Sequence, residues 1–154
     1  MGRKSTRENK TIFQQYREKA GLTVDKATEL MNLGKGRLTK IENESTFAHP
    51  DEVLAMSKCY NAPELCNLFC TNECPLGKEN VPKADTSKSI EKLTLEMLVS
   101  LNSLDKYKDR LMEITVDGEV SEDEMPDFEL IRSKLNEISE AISSLDLWIK
   151  KQNI

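Results

Sequence analysis

GLTVDKATELMNLGKGRLTKIEN, residues 21–43, sets polar turn residues between apolar residues at helical spacing. Thr23 offers a side-chain oxygen to the backbone N–H groups that open a helix, and Ala27, Leu30 and Met31 then follow at intervals of three and one. After Asn32-Leu33-Gly34 a further short helix carries Leu38 and Ile41. Asn is among the few residues besides Gly that tolerate a left-handed backbone, so Asn32 suits a tight turn between the two helices. Ala27, Met31, Leu33, Leu38 and Ile41 are the small or apolar residues that two helices meeting at a steep angle need at their contact.

The same reading extends outward through the front of the chain. Ile12, Phe13 and Tyr16 share one helical face, and Ala20-Gly21 marks that helix's end. Pro50 is suited to the first position of a fourth helix, which carries Val53, Leu54 and Ser57 along one side. Pro63 opens a fifth with Leu65, Leu68 and Phe69. The stretch from Cys74-Pro75-Leu76-Gly77 to Lys83 holds two prolines and a glycine with little periodicity, which predicts a linker over residues 75–86. No strand-like alternation occurs, so the expected class is all-α.

The rear, residues 87–154, changes character. Phe128, Ile131, Leu135, Ile138, Ile142, Leu145 and Ile149 recur at alternating steps of three and four, a heptad seam that packs helix on helix. Ile90, Met97, Leu104 and Leu111 recur every seven residues, with Leu93, Leu98, Leu101 and Ile114 widening the stripe. Asp117-Gly118 signals a turn, and Ser121 with Glu124 forms a capping box ahead of the last helix, whose start Pro126 can shift. The short connection predicts a long antiparallel, coiled-coil-like helical hairpin. One such pair leaves part of a wide apolar stripe uncovered, so the expectation is a homodimer through residues 87–154 that closes a four-helix bundle.

The segment from AGLT, at Ala20, to KIEN, ending at Asn43, resembles the phage Cro and repressor type of helix-turn-helix, the XRE family. More loosely, the likeness covers a five-helix domain over residues 9–74, preceded by a basic arm over residues 1–8. The resemblance implies a DNA-binding transcriptional regulator, acting most often as a repressor, with double-stranded DNA as its partner. It implies that the third helix enters the major groove. There Lys35, Gly36, Thr39 and Lys40 fall at base-facing positions, and Arg37 lies near the phosphate backbone. Lysine can donate to guanine, and Thr39 offers a hydroxyl and a methyl. Arg3, Lys4, Arg7 and Lys10 would extend the contacts as an arm. Glu42 matches the acidic residue with which the family braces its fold.

Three residues depart from the family pattern. Val24 replaces a polar phosphate contact, Gly34 stands where Ser or Thr would cap the third helix, and Gly36 removes a side chain from the reading face. A chain that had lost base reading would instead be a protein-interaction adaptor on the same fold.

Charge is divided accordingly. The formal net charge is -5, with 22 Lys+Arg against 27 Asp+Glu, but the first fifty residues are net basic and residues 85–154 strongly acidic. Only the front is suited to a polyanion. The basic, polar opening MGRKSTRENK predicts no secretory signal, and no apolar run reaches the roughly 18–20 residues that cross a bilayer. The expectation is a soluble cytoplasmic protein without membrane contact.

Cys59, Cys66, Cys70 and Cys74 are expected to be reduced thiols. Their gaps of six, three and three residues lack the tight pairs typical of structural zinc. Buried cysteines acting as small hydrophobes, a zinc or other metal site, and a thiol-responsive regulator all remain open. His49 beside Pro50 has no adjacent carboxylate or nucleophile. Glu113 to Glu124 partly matches a calcium loop, but with Glu at its first position and Thr at its third. Nothing resembles a phosphate loop or a nucleophile with its base, so no enzyme, catalytic residue or obligatory cofactor is expected.

Overall fold

The computed structural model describes residues 10–152 and divides into two compact units, the boundary lying between Val81 and Pro82. Among the described residues the regular structure is entirely helical.

The front unit holds six helices: α1 (Ile12–Lys19), α2 (Val24–Met31), α3 (Lys35–Glu42), α4 (Pro50–Cys59), α5 (Glu64–Asn72) and α6 (Pro75–Asn80). Their limits follow local chemistry. Thr11 and Thr23 cap α1 and α2, accepting from the N–H groups of Gln14 and Lys26. Gly21 takes a φ of 71°, open to glycine at no steric cost, and lets the chain leave α1. Asn32 closes α2 with φ 52° and ψ 41°, the left-handed conformation its residue type permits. Pro50 begins α4, where a missing N–H costs nothing.

Phe13, Ala27, Leu38, Ile41, Val53, Met56 and Leu65 meet in one core. Each fully buried aliphatic or aromatic side chain there contributes about 1.5–3 kcal/mol relative to exposure. The stretch expected to be linker is corrected at its front half: Pro75–Asn80 is helical and packs on α5. Gly77 makes that approach possible. A Cβ there would stand 2.3 Å from the Cys70 carbonyl oxygen, so only glycine fits without moving backbone.

The rear unit comprises α7 (Ile90–Asp105), α8 (Lys108–Ile114) and α9 (Met125–Lys151). The first long helix expected from sequence is therefore two, interrupted by a turn at Lys106-Tyr107 inside the mostly charged run Asp105 to Arg110. Gly118, at φ 79°, turns the chain, and Ser121 bonds to the Glu124 carboxylate just ahead of α9. Arg110 Nε meets Asp127 Oδ2 at 2.8 Å near the turn, while the Asp85 N–H donates to Ser144 Oγ at 2.9 Å at the far end. α9 thus runs back antiparallel along α7, against which it packs.

Leu93, Ile114, Ile131 and Ile138 are buried in this unit. The heptad seam is only half covered, however. Leu135, Ile142 and Ile149 stay exposed, as do Leu98 and Leu101 on α7.

Candidate functional site

The α3 helix is held from both ends by arginines that reach across the front unit. Arg17 of α1 grips Glu42 with two parallel bonds, Nε to Oε1 at 2.6 Å and Nη2 to Oε2 at 2.8 Å, and its Nη1 donates to the Leu22 carbonyl at 2.7 Å. Both side chains are buried, at 8% and 6% exposure, so the pair is fixed inside the unit. The Glu42 hydrogen bond, with the nearby Glu42 charge, holds the Arg17 guanidinium above its ordinary pKa.

At the other end Arg37 donates Nε and Nη2 to the two Glu52 oxygens at 2.7 and 2.8 Å. It also donates Nη1 to Thr46 Oγ1 and Nη2 to the Phe47 carbonyl. The Glu52 carboxylate accepts the His49 N–H as well. Arg37 holds the Glu52 carboxyl below the usual carboxylate range, with the His49 N–H adding to the effect.

This bracing leaves Lys35, Gly36, Thr39 and Lys40 exposed on α3. Their spacing of one, three and one puts them on one helical face. Gly34 ends the preceding turn without any side-chain cap, which costs only a few tenths of a kcal/mol relative to Ser or Thr. Gly36 has no atom near the position of an added Cβ, so nothing in the packing requires glycine there. Thr39 donates its hydroxyl back to the Lys35 carbonyl at 2.9 Å.

The cationic edge is tempered by α2. Lys35 pairs with Asp25 at 2.6 Å and Lys26 with Glu29 at 3.0 Å, all four side chains being more than half exposed. Such exposed pairs are weak and exchange readily for a stronger anion. Val24 is half-buried against the unit's core rather than presented outward.

Of the remaining residues expected at the site, Lys10 is turned to Glu18 at 2.6 Å, and Arg3, Lys4 and Arg7 lie outside the described residues. Arg37 is the residue whose surroundings differ most from the expectation. The resemblance places it near a phosphate backbone, whereas four of its five N–H donors go to Glu52, Thr46 and Phe47. Arg17 was missed altogether. Its signal was a charged residue four positions after Phe13, on the apolar face of α1.

The four cysteines are half-buried and pack against the front core. Burial pushes the Cys59 thiol up, and burial with the neighbouring Cys74 and Cys66 does the same for Cys70. Among the described residues no three His, Cys, Asp or Glu side chains gather as a metal site. In the partial calcium loop, Glu113 instead pairs with Arg110, and Asp117 accepts the Glu119 N–H. His49 stands at the N-terminus of α4.

An open depression of about 800 Å³ lies beside the α3–α4 loop, floored by Ile12, Phe13 and Ile41 and rimmed by Glu44 and Glu73. Burial, and then Glu44, push the Glu73 carboxyl above its ordinary range. None of the four outward α3 residues lines it. Among the described residues no helix is long and apolar enough to cross a membrane. Comparison with protein-family models, with curated proteins and with solved structures finds no match for this chain.

Proposed function

We propose that the chain is a DNA-binding transcriptional regulator whose α2 and α3 form a Cro/repressor-like helix-turn-helix, and whose rear unit is a hairpin that pairs two copies. The observation that carries this reading is the exposed α3 face bearing Lys35, Gly36, Thr39 and Lys40 on a helix anchored by two buried or half-buried arginine–carboxylate pairs. A helix held rigidly with its outward face free of packing duties suits the major groove, and two lysines with a threonine suit guanine edges, thymine methyls and phosphates. The face is not part of the open depression, which fits a macromolecular surface better than a small molecule.

Arg37 is read as a brace rather than a phosphate contact. With few reading groups on α3, discrimination between sequences would lean on phosphate contacts and on DNA shape. Pairing of two copies would present two such helices to half-sites about one helical turn apart, roughly 34 Å. Occupancy of such a site would act by obstructing or recruiting polymerase.

The test is fluorescence anisotropy with duplex DNA across a salt series, comparing the chain with Lys35→Ala/Lys40→Ala. Arg37 is left intact because its loss would unsettle α3. Loss of the two base-facing lysines should weaken binding and relax sequence preference, and any of them that rests on a phosphate should also lower the salt slope of log K by about one. Equal affinity and equal slope for the two proteins would overturn the reading and favour an interaction adaptor, a reading that also suits the engagement of Arg37 with Glu52 and Phe47.

A further inference from the structure

The uncovered half of the α9 seam has a pattern of its own. Phe128, Leu135, Ile142 and Ile149 recur every seven residues; the last three are exposed and Phe128 is half-buried. Along the outer flank of that stripe, four residues after each of the first three, stand Arg132, Ser139 and Asp146. The flank thus carries a positive charge at one end, a neutral residue in the middle and a negative charge at the other. In a paired-helix seam these flanking positions choose the partner and its direction.

We propose that the occupant of this face is the α9 helix of a second copy, running antiparallel about a two-fold axis beside Ser139. That register sets Phe128 opposite Ile149 of the other copy and Leu135 opposite its Ile142, in both directions. It also brings Arg132 to Asp146 of the other copy, a contact that the two-fold makes twice. In a parallel two-fold pairing this flank of one helix lies on the opposite side of the seam from the same flank of the other, so Arg132 and Asp146 would gain no partner from each other. Both residues are exposed and paired now only to helical neighbours, Arg132 with Glu129 and Asp146 with Lys150, so both are free to exchange.

The area is adequate. A helix of 27 residues is about 40 Å long, and two helices side by side span about 20 Å. With the 16 residues of α7 only about 24 Å long beside it, that face comes to roughly 640 Å², against roughly 800 Å² per partner in a standard stable interface. Helical periodicity turns Leu98 and Leu101 of α7 to the same side as the α9 stripe, so one flat apolar face is presented rather than two.

This inference rests on the reading that two copies associate, and adds their direction and register. Sedimentation equilibrium of the full chain tests both. Arg132→Glu and Asp146→Arg should each weaken the dimer roughly tenfold, and the double variant should return to within about threefold of the parent, because the swapped charges meet again. Circular dichroism checks that each variant keeps its helix content. A dimer that Arg132→Glu weakens but only Asp105→Arg restores would overturn the register in favour of α9 against α7 of the other copy. A dimer indifferent to all these reversals would overturn the interface while leaving association standing. A chain monomeric at every concentration would overturn association itself.

Discussion

Replacing Glu42 by Ala removes the acceptor from a guanidinium that has few others. Arg17 makes three hydrogen bonds, two of them to Glu42, and its side chain is 8% exposed. After the substitution only the Leu22 carbonyl would remain, and a positive charge would stand in the core beside Tyr60, whose hydroxyl is itself buried without a hydrogen-bond partner. Breaking a buried pair from one side costs about 3–5 kcal/mol, a large share of the roughly 5–15 kcal/mol that holds a domain folded. With a urea dependence of about 2 kcal/mol per M, the unfolding midpoint of the front unit should fall by roughly 2 M. Far-UV circular dichroism with tyrosine fluorescence, to which Tyr16 and Tyr60 of the front unit and Tyr107 of the rear contribute, follows unfolding, while Trp148, the one tryptophan, reports the rear unit alone. Arg17→Met/Glu42→Leu should recover most of the loss, since an apolar pair of similar volume carries no desolvation cost. By contrast, Lys150→Ala breaks an exposed i,i+4 pair and should cost under about 0.5 kcal/mol. A Glu42→Ala protein within 1 kcal/mol of the parent would refute the claim that this pair anchors α3.

The Arg37–Glu52 pair gives a pH signature. Because the folded Glu52 pKa lies below its ordinary value, its contribution is full above the ordinary carboxylate range and is lost as pH falls through the lowered value. Arg37→Ala should therefore flatten the acid limb of stability against pH, and an unchanged limb would contradict it. Two glycines should respond in opposite senses. Gly77→Ala forces the Cys70 backbone to move and should destabilise by about 1–3 kcal/mol, whereas Gly36→Ala, in open space within α3, should stabilise by about 0.5–1 kcal/mol; thermal midpoints read both. Cys59 and Cys70, with raised thiol pKa values, should alkylate more slowly at neutral pH than the same residues in the unfolded chain, as peptide mapping after iodoacetamide would show. Faster reaction in the folded chain would point to thiol sensing.

What the sequence made legible was mostly local. Thr23, Asn32, Pro50 and Gly21 act where their residue types are strongest, at caps and turns, and each lies where its chemistry predicted. The buried side of α3 followed from Leu38 and Ile41, whereas the residues expected on its outward face came from the resemblance alone.

What was hidden depends on partners distant in sequence. Arg17 and Glu42 are twenty-five residues apart, and Arg37 reads as a free cation until Glu52 arrives from α4. Helix α6 was obscured because Pro75 and Gly77 read as breakers. Yet Pro is at home in a first turn, and Gly77 serves a close approach that only the folded α5 reveals. In the rear, a heptad pattern specifies that two faces meet but not whose faces they are. One copy of the chain buries Ile131 and Ile138 and leaves Leu135, Ile142 and Ile149 for something else.

Selection of bound fragments from a random pool of duplex DNA tests the central claim most directly. An anchored α3 that reads DNA as one half of a two-fold pair should enrich an inverted repeat with half-sites about 10–11 base pairs apart, and the Lys35→Ala/Lys40→Ala protein should fail to enrich it. A parent chain that enriches no motif and retains no DNA above background at low salt would contradict the account.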